Sequence, residues 1–183
     1  ILFHMEKIKL SINNTEENKL PSNIEAEQSL IGSVLVNNDI IDEISNIVSA
    51  GKFFDPIHKK IYEVIESLNN KGMIANPITL KNFFENDIGL SEVGGVDYLV
   101  KVTRFSSSIK QAIDYAKIIH EMYVKRELIF ISDGILDEAK DDQIEKTGEN
   151  MIVDAEKSLF DLAERGNFSQ TFLKFNQAID QTI

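Results

Sequence analysis

Few residues in this 183-residue chain carry side chains that could do chemistry. Glu25 and Glu27 come nearest to a paired acid and base. Two positions apart on a helix, however, they point to different faces and cannot share a proton. Of the three histidines, His58 and His120 have no histidine or carboxylate three or four positions further on, the spacing from which a helix builds a metal pair. His120 and Glu121 are adjacent, so their side chains diverge. The glycines of Gly89-Leu90-Ser91-Glu92-Val93-Gly94 have the spacing of a phosphate-cradling loop. Gly95 stands where such a loop needs its lysine, and no hydroxyl follows to hold magnesium. Gly51-Lys52 is followed by Phe53 and has no glycine five positions earlier. Ser106-Ser107-Ser108 reads as a loop and helix cap with no base to activate it. No catalytic constellation is left, and the chain itself should take no metal and no cofactor.

The elements that carry these residues are helical. Pro21 followed by Ser22-Asn23 marks a helix start, and Glu25 and Glu27 fall in its first turn, where the helix dipole favours negative charge. Ile24, Leu30, Ile31, Val34 and Leu35 then give one apolar face, predicting a helix from about Ile24 to Val36. A second helix should carry Ile40, Ile41, Ile44, Ile47 and Val48 and stop at Gly51. Asp55-Pro56 starts a third, with Ile57, Ile61, Ile65 and Leu68 on one face, closed by Gly72. Pro77 and Thr79 open a short fourth with Leu80, Phe83 and Phe84 inward. Gly89 and Gly94-Gly95 break the chain before Val96, Tyr98, Leu99 and Val102. Strand-like alternation is nowhere sustained, so the fold class is all-α: a compact multi-helix bundle, a long antiparallel helical hairpin, and the start of a linker helix.

From Ser108 to about Lys140 there is no proline and one glycine, and apolar residues keep the helical period. Leu128-Ile129-Phe130-Ile131 is apolar on four successive positions, all round the helix, and such a segment must be buried on more than one side. A turn at Asp141-Asp142 and Thr147-Gly148 leads into a second long helix, with Ile152, Ala155, Leu159 and Leu162 spaced as the seam of a paired helix. Two helices bury one seam, yet more apolar surface is present than one seam uses. At roughly 1.5–3 kcal/mol for each large side chain buried, the excess calls for a second copy or another subunit, the alternative being that the hairpin folds onto its own body. Leu128, Ile129, Ile131, Ile135, Leu159 and Phe160 are the expected oligomer interface. After Gly166, the residues Phe172, Phe175 and Ile179 give a short amphipathic segment with no obvious partner within the chain, which either docks in a groove elsewhere or is frayed. The expected divisions are a remnant and tail at 1–19 with Met5 as natural start, a compact body at 20–104, a hairpin at 105–165 and a linker at 166–183.

Composition narrows the function classes. The chain has no cysteine, which removes disulfides and thiolate metal sites. No apolar run approaches the ~20 residues of a membrane helix, and no secretory signal precedes the first helix. A cytoplasmic location is expected. The net charge is −11, with arginine only at 104, 126 and 165. A domain that grips duplex DNA shows the opposite balance.

The order of several short motifs resembles the N-terminal domain of bacterial replicative helicases of the DnaB type. They are Pro21 with Glu25-Ala26-Glu27-Gln28 and Gly32; Phe54 and the His58 helix with Ile61; Gly72 before Pro77-Ile78-Thr79-Leu80; Gly94-Gly95 with Tyr98-Leu99; Tyr115-Ala116 with Ile118; and Arg126 with Leu128-Ile129. Ala75-Asn76-Pro77 and Glu127 depart from the pattern. The resemblance implies that hairpins of two subunits pair and that three pairs form a collar on a hexamer. It implies that the linker helix docks on a neighbouring motor domain, which uses ATP and magnesium and moves along single-stranded DNA, and that the collar recruits primase and possible loaders. Two other readings are a stand-alone helical adaptor or helicase-loading factor, and a DNA-binding regulator.

Overall fold

The computed structural model describes residues 19–85, 87–141 and 147–165. Among these, every regular element is helical. Helix α1 is Ile24–Val36, α2 Ile40–Ile44, α3 Pro56–Asn70, α4 Pro77–Phe84, α5 Ile88–Glu92, α6 Val96–Thr103, α7 Ile109–Lys140 and α8 Gly148–Arg165, with a 3₁₀ turn at Ala50–Lys52.

The starts of these helices follow from capping chemistry. Asn23 accepts from the Ala26 N–H and opens α1. Asp55 accepts from Ile57 and His58 N–H, and Pro56 takes a first-turn position whose N–H would have no partner. Asn76 with Thr79, and Ser108 with Gln111, form reciprocal capping boxes at α4 and α7. Gly72 follows α3 at φ 68°, a left-handed conformation that glycine adopts without strain.

The core gathers Leu30, Ile31, Val34, Ile40, Ile44, Ile61, Ile65, Leu80, Leu99 and Val102, with Ala112, Ala116 and Ile119 of α7 packed into the same cluster. Helix α1 is central and touches α6 and α7 along its length. Its approach to α6 is close: a Cβ on Gly32 would lie 2.1 Å from the Val102 carbonyl oxygen.

Three local details differ from the sequence pattern. Helix α2 ends at Ile44, and Val48 reaches the core from the irregular stretch before the 3₁₀ turn. Gly89 lies inside α5, where the Asp87 cap holds a short helix together. Phe83 is exposed, because Leu80 and Phe84 share the buried face at i and i+4 and Phe83 sits a quarter turn away.

Candidate oligomerisation surface

Two features meet where α7 leaves the body: a buried polar network and the root of an apolar hairpin. The network begins at Glu27, which is 2% exposed. One carboxylate oxygen accepts from the Phe54 N–H at 2.7 Å and the other from Asp55 N–H at 3.3 Å. The second also meets His58 Nδ1 at 2.7 Å, and His58 is 1% exposed. A carboxylate oxygen that already accepts from a backbone N–H is matched by a ring nitrogen that donates, which is the role the contact suits in Nδ1. His58 Nε2 lies 2.7 Å from the Tyr98 hydroxyl, and the Gln28 amide donates to that hydroxyl at 3.0 Å. Burial raises the Tyr98 phenol above its usual range, the Gln28 hydrogen bond opposing, so the hydroxyl stays protonated at neutral pH. The network ties α1, the Phe54–Asp55 turn, α3 and α6 together. Its carboxylate and imidazole are closed off from solvent, so it serves as a structural tie.

Arg126 stands next to it, on α7, and is buried. Its two terminal nitrogens donate to the carbonyls of Pro21 and Lys52, each at 2.7 Å, and its guanidinium lies 5.4 Å from the centre of the Phe54 ring. Burial lowers its pKa from the usual arginine value, opposed by the nearby Glu27 carboxylate.

Beyond Arg126 no residue of α7 is buried. The helix runs on beside α8, the two joined by a short connection and therefore antiparallel. Phe130, Ile131, Gly134 and Ile135 of α7 face Met151, Ala155 and Ser158 of α8 across a cavity of about 160 Å³, and Leu162 is buried nearer the root. The seam on α8 is thus Met151, Ala155 and Leu162. The expected seam included Ile152 and Leu159, which are 63% and 44% exposed. Two stripes one residue apart both fit a helical period, and the sequence alone cannot say which is turned inward.

Successive helical residues advance ~100°. Measured from the seam, Leu128 on α7, and Ile152 and Leu159 on α8, lie about a quarter turn round in the same sense, and Ile135, at the rim of the cavity, is displaced the same way by less. Because the helices are antiparallel, these four residues share one side of the hairpin. Ile129 and Leu136, and Val153 and Phe160, lie about half a turn round and form its two outer edges. All eight are between 37% and 63% exposed. Of the six residues expected at an oligomer interface, Leu128, Ile135 and Leu159 lie on the shared side, Ile129 and Phe160 on the edges, and Ile131 between that side and the seam. Ile152 was missed, having been assigned inward. Phe172, Phe175 and Ile179 lie outside the described residues.

Among the described residues, no group of histidines and carboxylates could hold a metal ion, and no helix is long and apolar enough to cross a membrane.

Comparison with known proteins gives a consistent result. A family model, described as the DnaB-like helicase N-terminal domain, matches residues 19–121. The replicative DNA helicase DnaB of Rickettsia bellii (strain RML369-C) is 39% identical over 164 residues, covering 90% of this chain and 33% of that protein. The replicative DNA helicase DnaC of Bacillus subtilis (strain 168) is 28% identical over 164 residues, covering 88% of this chain and 35% of that protein. The chain therefore spans about a third of the length of the relatives it matches. Among solved structures, the N-terminal domain of DnaB helicase from Mycobacterium tuberculosis aligns with a TM-score of 0.70 at 23% identity, covering 78% of this chain and 99% of that one. A DnaB-like replicative helicase, described with its interactions with primase, aligns with a TM-score of 0.61 at 20% identity, covering 84% of this chain and 35% of that one. At these identities the structural matches speak for the fold.

Proposed function

Because the chain belongs to the family of DnaB-like helicase N-terminal domains, we propose that it is the oligomerising and primase-recruiting part of a hexameric replicative DNA helicase that unwinds DNA at the replication fork. The observation that carries this reading is the apolar side of the hairpin. Leu128, Ile135, Ile152 and Leu159 are exposed together on two antiparallel helices, and contiguous apolar surface of this kind marks a contact with another protein. A second copy is the occupant, since family members assemble through paired hairpins and a twofold pair needs one self-complementary patch. Pairing of hairpins builds dimers, and three dimers complete the ring.

The chain contributes no ATPase chemistry. It has no phosphate-cradling loop, and its net charge of −11 is unsuited to gripping a phosphate backbone. ATP and magnesium belong to a motor domain, which also engages single-stranded DNA, and the assembly works in the cytoplasm. Primase is the proposed partner of the collar, by analogy with the DnaB-like helicase described with primase; a helicase loader is a further one.

The test is a titration of this chain with purified primase, read by calorimetry, beside an ATPase assay. Saturable primase binding and no hydrolysis are expected. Hydrolysis by the chain alone, or no primase binding at concentrations where the chain self-associates, would overturn the reading.

A further inference from the structure

Helix α7 does two jobs in one unbroken element. Its first part is core, with Ala112, Ala116 and Ile119 buried against the body. Its last part carries Leu128 and Ile135 into solvent. Between Ile119 and the tip, the only buried residue is Arg126, and it is held from three directions. One nitrogen donates to the carbonyl of Pro21, in the lead into α1, and the other to that of Lys52, at the end of the 3₁₀ turn. Its guanidinium carbon lies over the Phe54 ring. The carbonyls belong to segments 31 positions apart in sequence, and the planar fork of a guanidinium is the side chain that can join two such acceptors at fixed geometry.

We propose that Arg126 is the positioning residue that sets the direction in which the hairpin leaves the body, and with it the geometry in which two hairpins meet. The proposal rests on the hairpin-pairing reading. Mechanics give its size. Without the clasp the last buried residue of α7 is Ile119, and the overhang to Lys140 is ~30 Å at 1.5 Å per residue. A tilt of ~10° about that point moves the tip by ~5 Å, one helical turn. That is enough to slide Ile135 past its neighbour in a partner and to break a matched interface. Lysine keeps the charge, but its single ammonium on a flexible stem cannot hold both carbonyls in plane.

The chain has no cysteine, so a spin-label pair can be placed cleanly. Labels at Lys59→Cys on α3 and Asp137→Cys on α7 occupy exposed positions, and Asp137 is on neither the shared side nor an outer edge of the hairpin. Labelled chain is diluted into excess unlabelled chain, and the distance distribution is read by pulsed electron resonance. Self-association is measured in parallel by sedimentation. The Arg126→Lys variant should broaden the distribution and weaken self-association by tenfold or more, with helix content retained. Phe54→Leu, which keeps both carbonyls and removes the ring, should broaden it less; it decides the matter if Arg126→Lys does not fold. An unchanged distribution in the folded variant, or weaker association without a change in distance, would overturn the proposal. Absence of self-association in the unsubstituted chain would instead refute the pairing reading, while the distance measurement still tests the clasp.

Discussion

Glu27 is a carboxylate whose surroundings give it three donors and almost no water. Removing it leaves two backbone N–H groups and an imidazole N–H buried without an acceptor. Glu27→Ala should cost about 3–5 kcal/mol, measured as a drop in urea midpoint with the slope unchanged. Tyr98→Phe removes the hydroxyl that joins His58 and Gln28, leaves the Glu27 contacts in place, and should cost about 1–3 kcal/mol. Glu66 behaves differently. Burial raises its carboxyl, Glu63 adds to that, and the Ala50 N–H it accepts at 3.2 Å opposes. A raised folded pKa means ionisation is disfavoured in the native state, so the stability linked to this group is present at low pH and lost as pH rises through the folded value. Glu66→Gln keeps the acceptor for Ala50 and removes the charge. It should melt higher than the parent near neutral pH, and the gap should close as pH falls below about 4, the ordinary glutamate range, where the carboxyl becomes protonated in both states. A gap that widened on acidification would contradict the assignment. The role of Glu27 was half legible in the sequence. Its place in the first turn is evident, but so is its spacing of three and four from Leu30 and Ile31, which puts it on the apolar face. That spacing, with His58 three and four before Ile61 and Tyr62, is the signal that two polar residues are buried and must have partners. Which partners they find is set by a contact across 31 positions, and no local pattern encodes it.

At the scale of elements, most helix ends were readable because proline, asparagine, aspartate and serine act within a turn of where they stand. Asn23, Asp55 and Ser108 cap as their chemistry requires. The inward face of α8 was not readable, because the helix has two apolar stripes and only the packed structure decides which meets α7. The tight approach of α1 to α6 was also invisible locally: Gly32 is inside a helix, where glycine costs stability, and the reason for it is a carbonyl on another element. Gly32→Ala should push the two helices apart and destabilise by the upper end of ~1–3 kcal/mol, whereas alanine in an open helical site would stabilise. Equilibrium unfolding distinguishes the two, and a stabilised variant would mean that the α1–α6 contact is looser than described.

The whole molecule is a body with a satisfied core and a hairpin without a finished one. Four large apolar side chains on one side of it, Leu128, Ile135, Ile152 and Leu159, are already about half covered, so each stands to gain about half of the roughly 1.5–3 kcal/mol that burial from full exposure is worth, against a fixed cost of association. That surplus makes pairing the central claim, and Ile152 and Leu159 are better probes of it than Ile131, which also lines the cavity between α7 and α8. The decisive measurement is the sedimentation-equilibrium mass of this chain beside an Ile152→Glu, Leu159→Glu variant with unchanged helix content. The account predicts a concentration-dependent mass reaching at least a dimer for the parent and a monomer for the variant. A parent that stays monomeric at high concentration, or a variant that associates as strongly as the parent, would contradict it.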